Sequence, residues 1–146
     1  MSVQQQLADI GLKTMSRVHR VILRTTSGRV LNSAFGMPVV ELRTVGRKSG
    51  LPRSTMLTAP VIDGQRIVLV ASKGGDDRDP EWYRNLMAHP DAELMVHGQR
   101  RLVRARRASA EEKAELWPRV AAAYRGYAGY QRRTRRDIPL VLCEPR

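Results

Sequence analysis

Val61-Ile62-Asp63-Gly64-Gln65-Arg66-Ile67-Val68-Leu69-Val70-Ala71 is the stretch that decides the fold. Asp63 and Gly64 both tolerate positive φ, a strong hairpin signal, so residues 54–62 and 65–72 are expected to pair as antiparallel strands. The run Ile67–Ala71 is apolar at every position rather than at alternate ones. A strand of that kind needs cover on both faces, which places it centrally in a sheet. Outward from it, Val39–Val45 reads as a strand, Ala92–Val96 and Leu102–Ala108 flank His97-Gly98-Gln99 as a second pair, and Ile138–Cys143 closes the chain. The strands do not alternate strictly with helices, so the expectation is an α+β, mostly antiparallel barrel.

Helix signals fill the gaps. Asp79 is expected as a cap, with Pro80 at the first helical position and Glu81 in the first turn, and the helix stops at His89-Pro90. Ser109-Ala110-Glu111-Glu112 is a capping box opening a second helix, with a bend expected at Pro118. Residues 3–24 carry Val3, Leu7, Ile10, Met15, Val18 and Ile22 close to one helical face, beside a cationic stripe of Lys13, Arg17, Arg20 and Arg24. Two readings stay open for this segment: a helix packed on the domain, or one lying on anionic lipid. A Ser/Gly/Asn-rich loop, 25–37, follows. The organisation expected is a helix-and-loop segment over 1–38 and a barrel domain over 39–146.

The 146 residues carry 26 Lys+Arg against 14 Asp+Glu, a formal charge of +12. Acids are absent from 42–62, which holds Arg43, Arg47, Lys48 and Arg53, and from 94–110, which holds Arg100, Arg101, Arg104, Arg106 and Arg107. A further cluster, Arg132, Arg133, Arg135 and Arg136, meets only Asp137 in sequence. Such fields draw anionic partners. Nucleic acid is the obvious one, but aromatics are only 5% and none interleaves with residues 100–107, so stacking platforms are missing. One cysteine and three separated histidines supply no zinc site. With no signal-peptide pattern or membrane-length apolar run, a cytoplasmic protein is expected.

Self-sufficient catalytic groups are scarce. Cys143 lies inside an apolar strand, where a thiol stays protonated, and no dinucleotide or Walker loop occurs, so a bound cofactor is expected to carry the reactivity. Two loops suit one. Gly46-Arg47-Lys48-Ser49-Gly50-Leu51-Pro52-Arg53 gathers three cations, a hydroxyl and two glycines that let the backbone approach a ligand. Ala71-Ser72-Lys73-Gly74-Gly75 follows the central strand and offers amides to the polar edge of a flat heterocycle. Tyr124, Tyr127 and Tyr130, spaced three apart, form one face of a helix that either lines a wet pocket or packs the core.

These loops, together with Pro80-x-Trp82-Tyr83-x-Asn85-Leu86-x-Ala88-x-Pro90 and Ile138-Pro139-x-Val141-x-Cys143-Glu144-Pro145, resemble the deazaflavin-dependent nitroreductase family from about Val39 to the C-terminus. The resemblance implies a split β-barrel of the flavin-reductase type that binds coenzyme F420 and reduces quinone or nitroaromatic acceptors. It implies that Arg47, Lys48, Ser49, Arg53 and Ser54 hold the coenzyme's phosphate and oligoglutamate tail. Ala71, Ser72, Lys73 and Gly74 would meet the deazaflavin ring, with Trp82 and Asn85 beside it. Tyr124, Tyr127 and Tyr130 would line the acceptor pocket, making them and Ser72 the candidate catalytic residues. Arg133 stands where the family pattern has an aromatic. Split barrels commonly pair, which leaves a homodimer open, and the competing ligands for the same barrel are FMN and haem.

Overall fold

A computed structural model describes residues 33–146. Eight strands run in chain order: β1 (Ser33–Ala34), β2 (Met37–Val45), β3 (Pro52–Thr58), β4 (Val61–Asp63), β5 (Arg66–Val70), β6 (Asp91–Val96), β7 (Gln99–Arg107) and β8 (Leu140–Pro145). The helices are α1 (Glu81–Ala88), α2 (Ala110–Ala123) and α3 (Gly126–Arg133), and a 3-10 turn covers Lys73–Gly75. The sheet order is β1-β2-β6-β7-β8-β5-β4, with β3 also paired to β2. Every pairing is antiparallel. The expected helix over 3–24 and most of the loop after it lie outside the described residues.

Strand chemistry explains the layers. On β2, Val40, Leu42 and Thr44 are buried while Glu41, Arg43 and Val45 are not, the alternation of a strand with one face on a core. Those inward residues join Leu94, Val96, Val103, Cys143, Ile67 and Leu69 in the barrel interior, which α1 closes with Tyr83 and Leu86. β5 pairs β4 on one side and β8 on the other, so the expected central strand is central. Its second face, with Val68 and Val70, packs with Leu140 and Leu142 of β8 under Leu116, Val120 and Tyr127 of α2 and α3. That double burial is why Ile67–Val70 of β5 and Leu140–Cys143 of β8 are apolar at consecutive positions.

β7 starts at Gln99 and not at Leu102, β8 covers 140–145 and not 138–143, and β1 and the start of β2 fall inside the loop expected over 25–37. Three further departures have an identifiable cause. Asp63 pairs with Arg66, so the hairpin loop is Gly64-Gln65, with Gly64 at φ 63°. The strand expected over 54–62 breaks at Ala59-Pro60, where proline has no N–H for the ladder. Pro80, not Asp79, occupies the N-cap of α1; the Asp79 carboxylate instead accepts from Arg136 Nη1 at 3.1 Å. The Ser109–Glu112 capping box is present with both reciprocal hydrogen bonds, and α2 runs on through Pro118.

Candidate functional site

The loop between β2 and β3 is closed by Gly46 N–H donating to the Leu51 carbonyl and Gly50 N–H to the Gly46 carbonyl, both at 2.8 Å. A Cβ on Gly46 would fall 2.6 Å from Ser49 Oγ, so any other residue there would push the Ser49 hydroxyl aside. Ser49 Oγ accepts from Leu51 N–H (3.2 Å) and Arg53 Nη2 (3.3 Å). Lys48, Ser49 and Arg53 are exposed. Arg47 is different. Its backbone N–H and its Nη1 both donate to Asn85 Oδ1, at 3.1 and 3.0 Å, and Nη1 lies 2.7 Å from Glu81 Oε2. Burial works against the Glu81 carboxylate, but the Arg47 hydrogen bond and the charges of Arg47 and Arg84 outweigh it and hold its pKa below the usual value. The loop is thus tied to α1, and the charge of Arg47 is matched. Ser54 lies on β3 and donates to Glu41 Oε1 at 2.7 Å.

The second loop leaves β5 at buried Ala71 and Ser72. It then makes three consecutive left-handed residues, Lys73 (φ 45°), Gly74 (φ 64°) and Gly75 (φ 86°). Glycine meets that requirement at two of the three positions. Gly75 also lets α3 come close, since a Cβ there would sit 3.0 Å from the Tyr130 carbonyl. Arg133 links the two elements: its guanidinium lies 5.7 Å from the centre of the Tyr130 ring, and Nη1 reaches the Gly74 carbonyl at 3.5 Å. Trp82 is half-buried against the barrel core and meets Tyr83 edge-on.

Tyr124, Tyr127 and Tyr130 form a mutual edge-to-face cluster with centroids 5.2 to 6.3 Å apart. Their environments differ. Tyr127 is buried, its hydroxyl 2.8 Å from Thr58 Oγ1, and burial pushes its pKa up. Tyr130 is half-buried, and its hydrogen bond with Tyr124, helped by burial, pushes its pKa up to about 12. Both hydroxyls therefore stay protonated at neutral pH and act as hydrogen-bonding groups. Phe35, at the tip of the β1–β2 turn, is 70% exposed and stacks on Tyr124 at 5.0 Å. The sequence singled out neither Phe35 nor Glu81, although an aromatic inside a Ser/Gly-rich loop was a signal that could have been used. Cys143 is buried and its thiol is pushed up to about 12, consistent with an inert core residue.

The structure brings the Lys73–Gly75 turn against the tyrosine helix, and Arg47 against Asn85. It leaves Lys48 and Arg53 on an open surface. A family model for F420H2-dependent quinone reductases matches residues 15–145. The chain belongs to that family. An F420H2-dependent quinone reductase of Mycobacterium tuberculosis is 41% identical over 134 residues, 89% of each chain. A solved F420H2-dependent reductase is 36% identical with a TM-score of 0.67, covering 73% of this chain and 94% of that one. A second solved chain, described as a domain-swapped dimer, is 32% identical with a TM-score of 0.68 over 86% of this chain and 98% of that one. The protein is thus an oxidoreductase with the split-barrel fold, and F420 is its coenzyme.

Proposed function

We propose that this chain moves a hydride from reduced F420 to a quinone-like acceptor held at the junction of the Ala71–Gly74 loop and the tyrosine cluster. When bound, the coenzyme supplies the hydride, and with one proton the quinone leaves as a quinol. The observation that carries the reading is the abutment of the left-handed Lys73–Gly75 turn and Tyr130, fixed by the missing Cβ of Gly75.

The residues fit this coenzyme. Lys48 and Arg53 offer unburied cations to a phosphate and carboxylate tail, with Arg47, Ser49 and Ser54 shaping the surface beside them. Ala71, Ser72, Lys73 and Gly74 offer backbone groups and one hydroxyl to the ring, and Trp82 and Asn85 stand on the helix that follows. Tyr130 presents a hydroxyl that stays protonated at neutral pH and, with the Tyr124 hydroxyl beside it, is suited to hydrogen-bond a quinone oxygen as charge develops on it. Tyr127 acts through packing, since its hydroxyl is already engaged by Thr58. Nitroaromatic compounds are flat acceptors of the same two-electron class and are the second acceptor type to assay. Titration of the protein with F420, followed by fluorescence and then by oxidation of the reduced coenzyme with a quinone panel, tests the reading. Saturable binding and quinone-dependent oxidation are expected; no binding overturns it.

A lipid-soluble quinone also gives purpose to the cationic stripe Lys13, Arg17, Arg20 and Arg24, each worth ~1 kcal/mol near an anionic surface. The contact proposed is peripheral, on the inner face of the cell membrane, with the basic stripe at the headgroups. Co-sedimentation with anionic vesicles at low salt is expected, and protein that stays in the supernatant ends the idea.

A further inference from the structure

Arg136 comes from the last of the arginine-rich stretches, yet its guanidinium is one of the least exposed in the described chain, at 15%. It sits behind the loop proposed to meet the coenzyme ring. Nε donates to the Asp76 carbonyl at 2.8 Å, and Nη2 to the carbonyls of Ala71 (3.1 Å) and Ser72 (2.9 Å). Nη1 donates to the Asp79 carboxylate at 3.1 Å. All three nitrogens are used, on four acceptors spread along 71–79, a planar fork that no other side chain can reproduce. Its own position is set in turn. The Arg136 N–H donates to Thr134 Oγ1 at 3.3 Å, that hydroxyl donates to Asp77 at 2.8 Å, and the Arg136 carbonyl accepts from Gln131 Nε2 at 2.8 Å.

The direction of these bonds matters. In a trans peptide the C=O and the N–H point opposite ways. The Ala71 carbonyl turns toward Arg136, so the Ser72 N–H on the same peptide is aimed at the other side. We infer that Arg136 is a positioning residue for hydride transfer: it holds the carbonyls of 71, 72 and 76 on one side of the loop and thereby presents the Ser72 amide to the coenzyme ring on the other. This rests on the reading that 71–74 meet the ring. Arg136 also braces the left-handed Lys73 from both flanks, since strained backbone holds only where its surroundings over-determine it.

Two measurements on the full chain separate this inference from the reading beneath it. Amide hydrogen exchange over 71–76 is followed with and without F420, then F420 affinity and kcat/KM are measured in R136Q, R136K and D79N. In the unaltered protein F420 is expected to slow exchange over 71–76. In R136Q the apoprotein's exchange there should rise about tenfold or more, and kcat/KM should fall about 100-fold, the size expected for a shift of about 1 Å in a positioning element. The loss should persist at high salt, because Arg136 acts through short hydrogen bonds and not through a screened field. R136K keeps the charge without the fork and should recover little. If R136Q fails to fold, D79N weakens one arm alone, leaving a neutral acceptor in place of the carboxylate, and should move exchange and kcat/KM the same way by less. F420 that leaves 71–76 unprotected overturns the ring-loop reading and this inference with it. Protection by F420 together with unchanged kinetics in the folded variants overturns the inference alone.

Discussion

The arginines of β7 and the cations of the β2–β3 loop look alike in sequence and do different work. On β7, Arg104 pairs with Asp91 at 2.8 Å, Arg106 with Glu112 and Glu144 at 2.7 and 2.8 Å, and Arg107 with Asp137 at 3.5 Å. Arg100 pairs with Glu93. The acid-free stretch 94–110 is therefore not acid-free in space. β6, β8, helix α2 and Asp137 just before β8 bring carboxylates to four of the five arginines, Arg100, Arg104, Arg106 and Arg107. In the β2–β3 loop only Arg47 is matched, by Glu81, while Lys48 and Arg53 face solvent. Charge density along a chain thus says little about charge available to a ligand. What decides is whether the adjacent strand or helix carries the opposite sign.

The largest effect expected from that contrast comes from reversing charge on each side of it. The double variant K48E/R53E should weaken F420 binding by about 100-fold or more at low salt, from loss of two charge-assisted contacts plus repulsion. R104E on β7 should change the affinity by less than about twofold, because Asp91 already pairs with Arg104 and neither residue lies on the two loops. Turnover of bound coenzyme in K48E/R53E should change little, since contacts to a non-reacting end are equal in ground and transition states. Fluorescence titration with steady-state kinetics reads all three. Equal losses from the two variants would mean that F420 responds to total charge and that the loop is no site.

What was legible in the sequence follows from range. The capping box at Ser109–Glu112 was legible because its partners are three residues apart. The central place of β5 was legible because burial on both faces forces apolar residues at consecutive positions. The His97-Gly98 turn was legible as well, with both residues at positive φ. Less was visible where a long-range partner overrode a local preference. Asp79 is a good cap by type, yet Arg136, 57 residues away, takes its carboxylate. At Asp63-Gly64 the miss is local instead: the turn sits one residue later, at Gly64-Gln65, so that Asp63 pairs with Arg66 and Ile62 with Ile67. Arg136 itself carried no signal at all, since nothing about an arginine among arginines tells which one turns inward. Of the candidate site, the two loops and the tyrosine face were readable as segments. The engagement of Arg47 by α1 and the stacking of Phe35 on Tyr124 needed the fold.

The smallest effect expected lies on the paired side of the comparison and tests whether the β7 pairs do anything beyond cancelling charge. The Glu112 carboxylate is held down at about 2, first by its hydrogen bond from Arg106 and then by the Ser109 N–H. The folded pKa is below the usual 4.5, so the pair's contribution is present above that value and is lost as pH falls from 4.5 toward 2. Replacing Glu112 with Gln removes the charge and keeps a residue that can complete the capping box. At pH 7 the substitution should cost about 0.2–1 kcal/mol, the range for solvent-screened pairs. The gap between E112Q and the parent in urea melts should shrink in high salt and close near pH 2. F420 affinity should not move, because Glu112 and Arg106 lie on neither loop. A pH-independent gap would assign the Glu112 contribution to helix capping and packing, leaving the β7 arginines as charge neutralisers only.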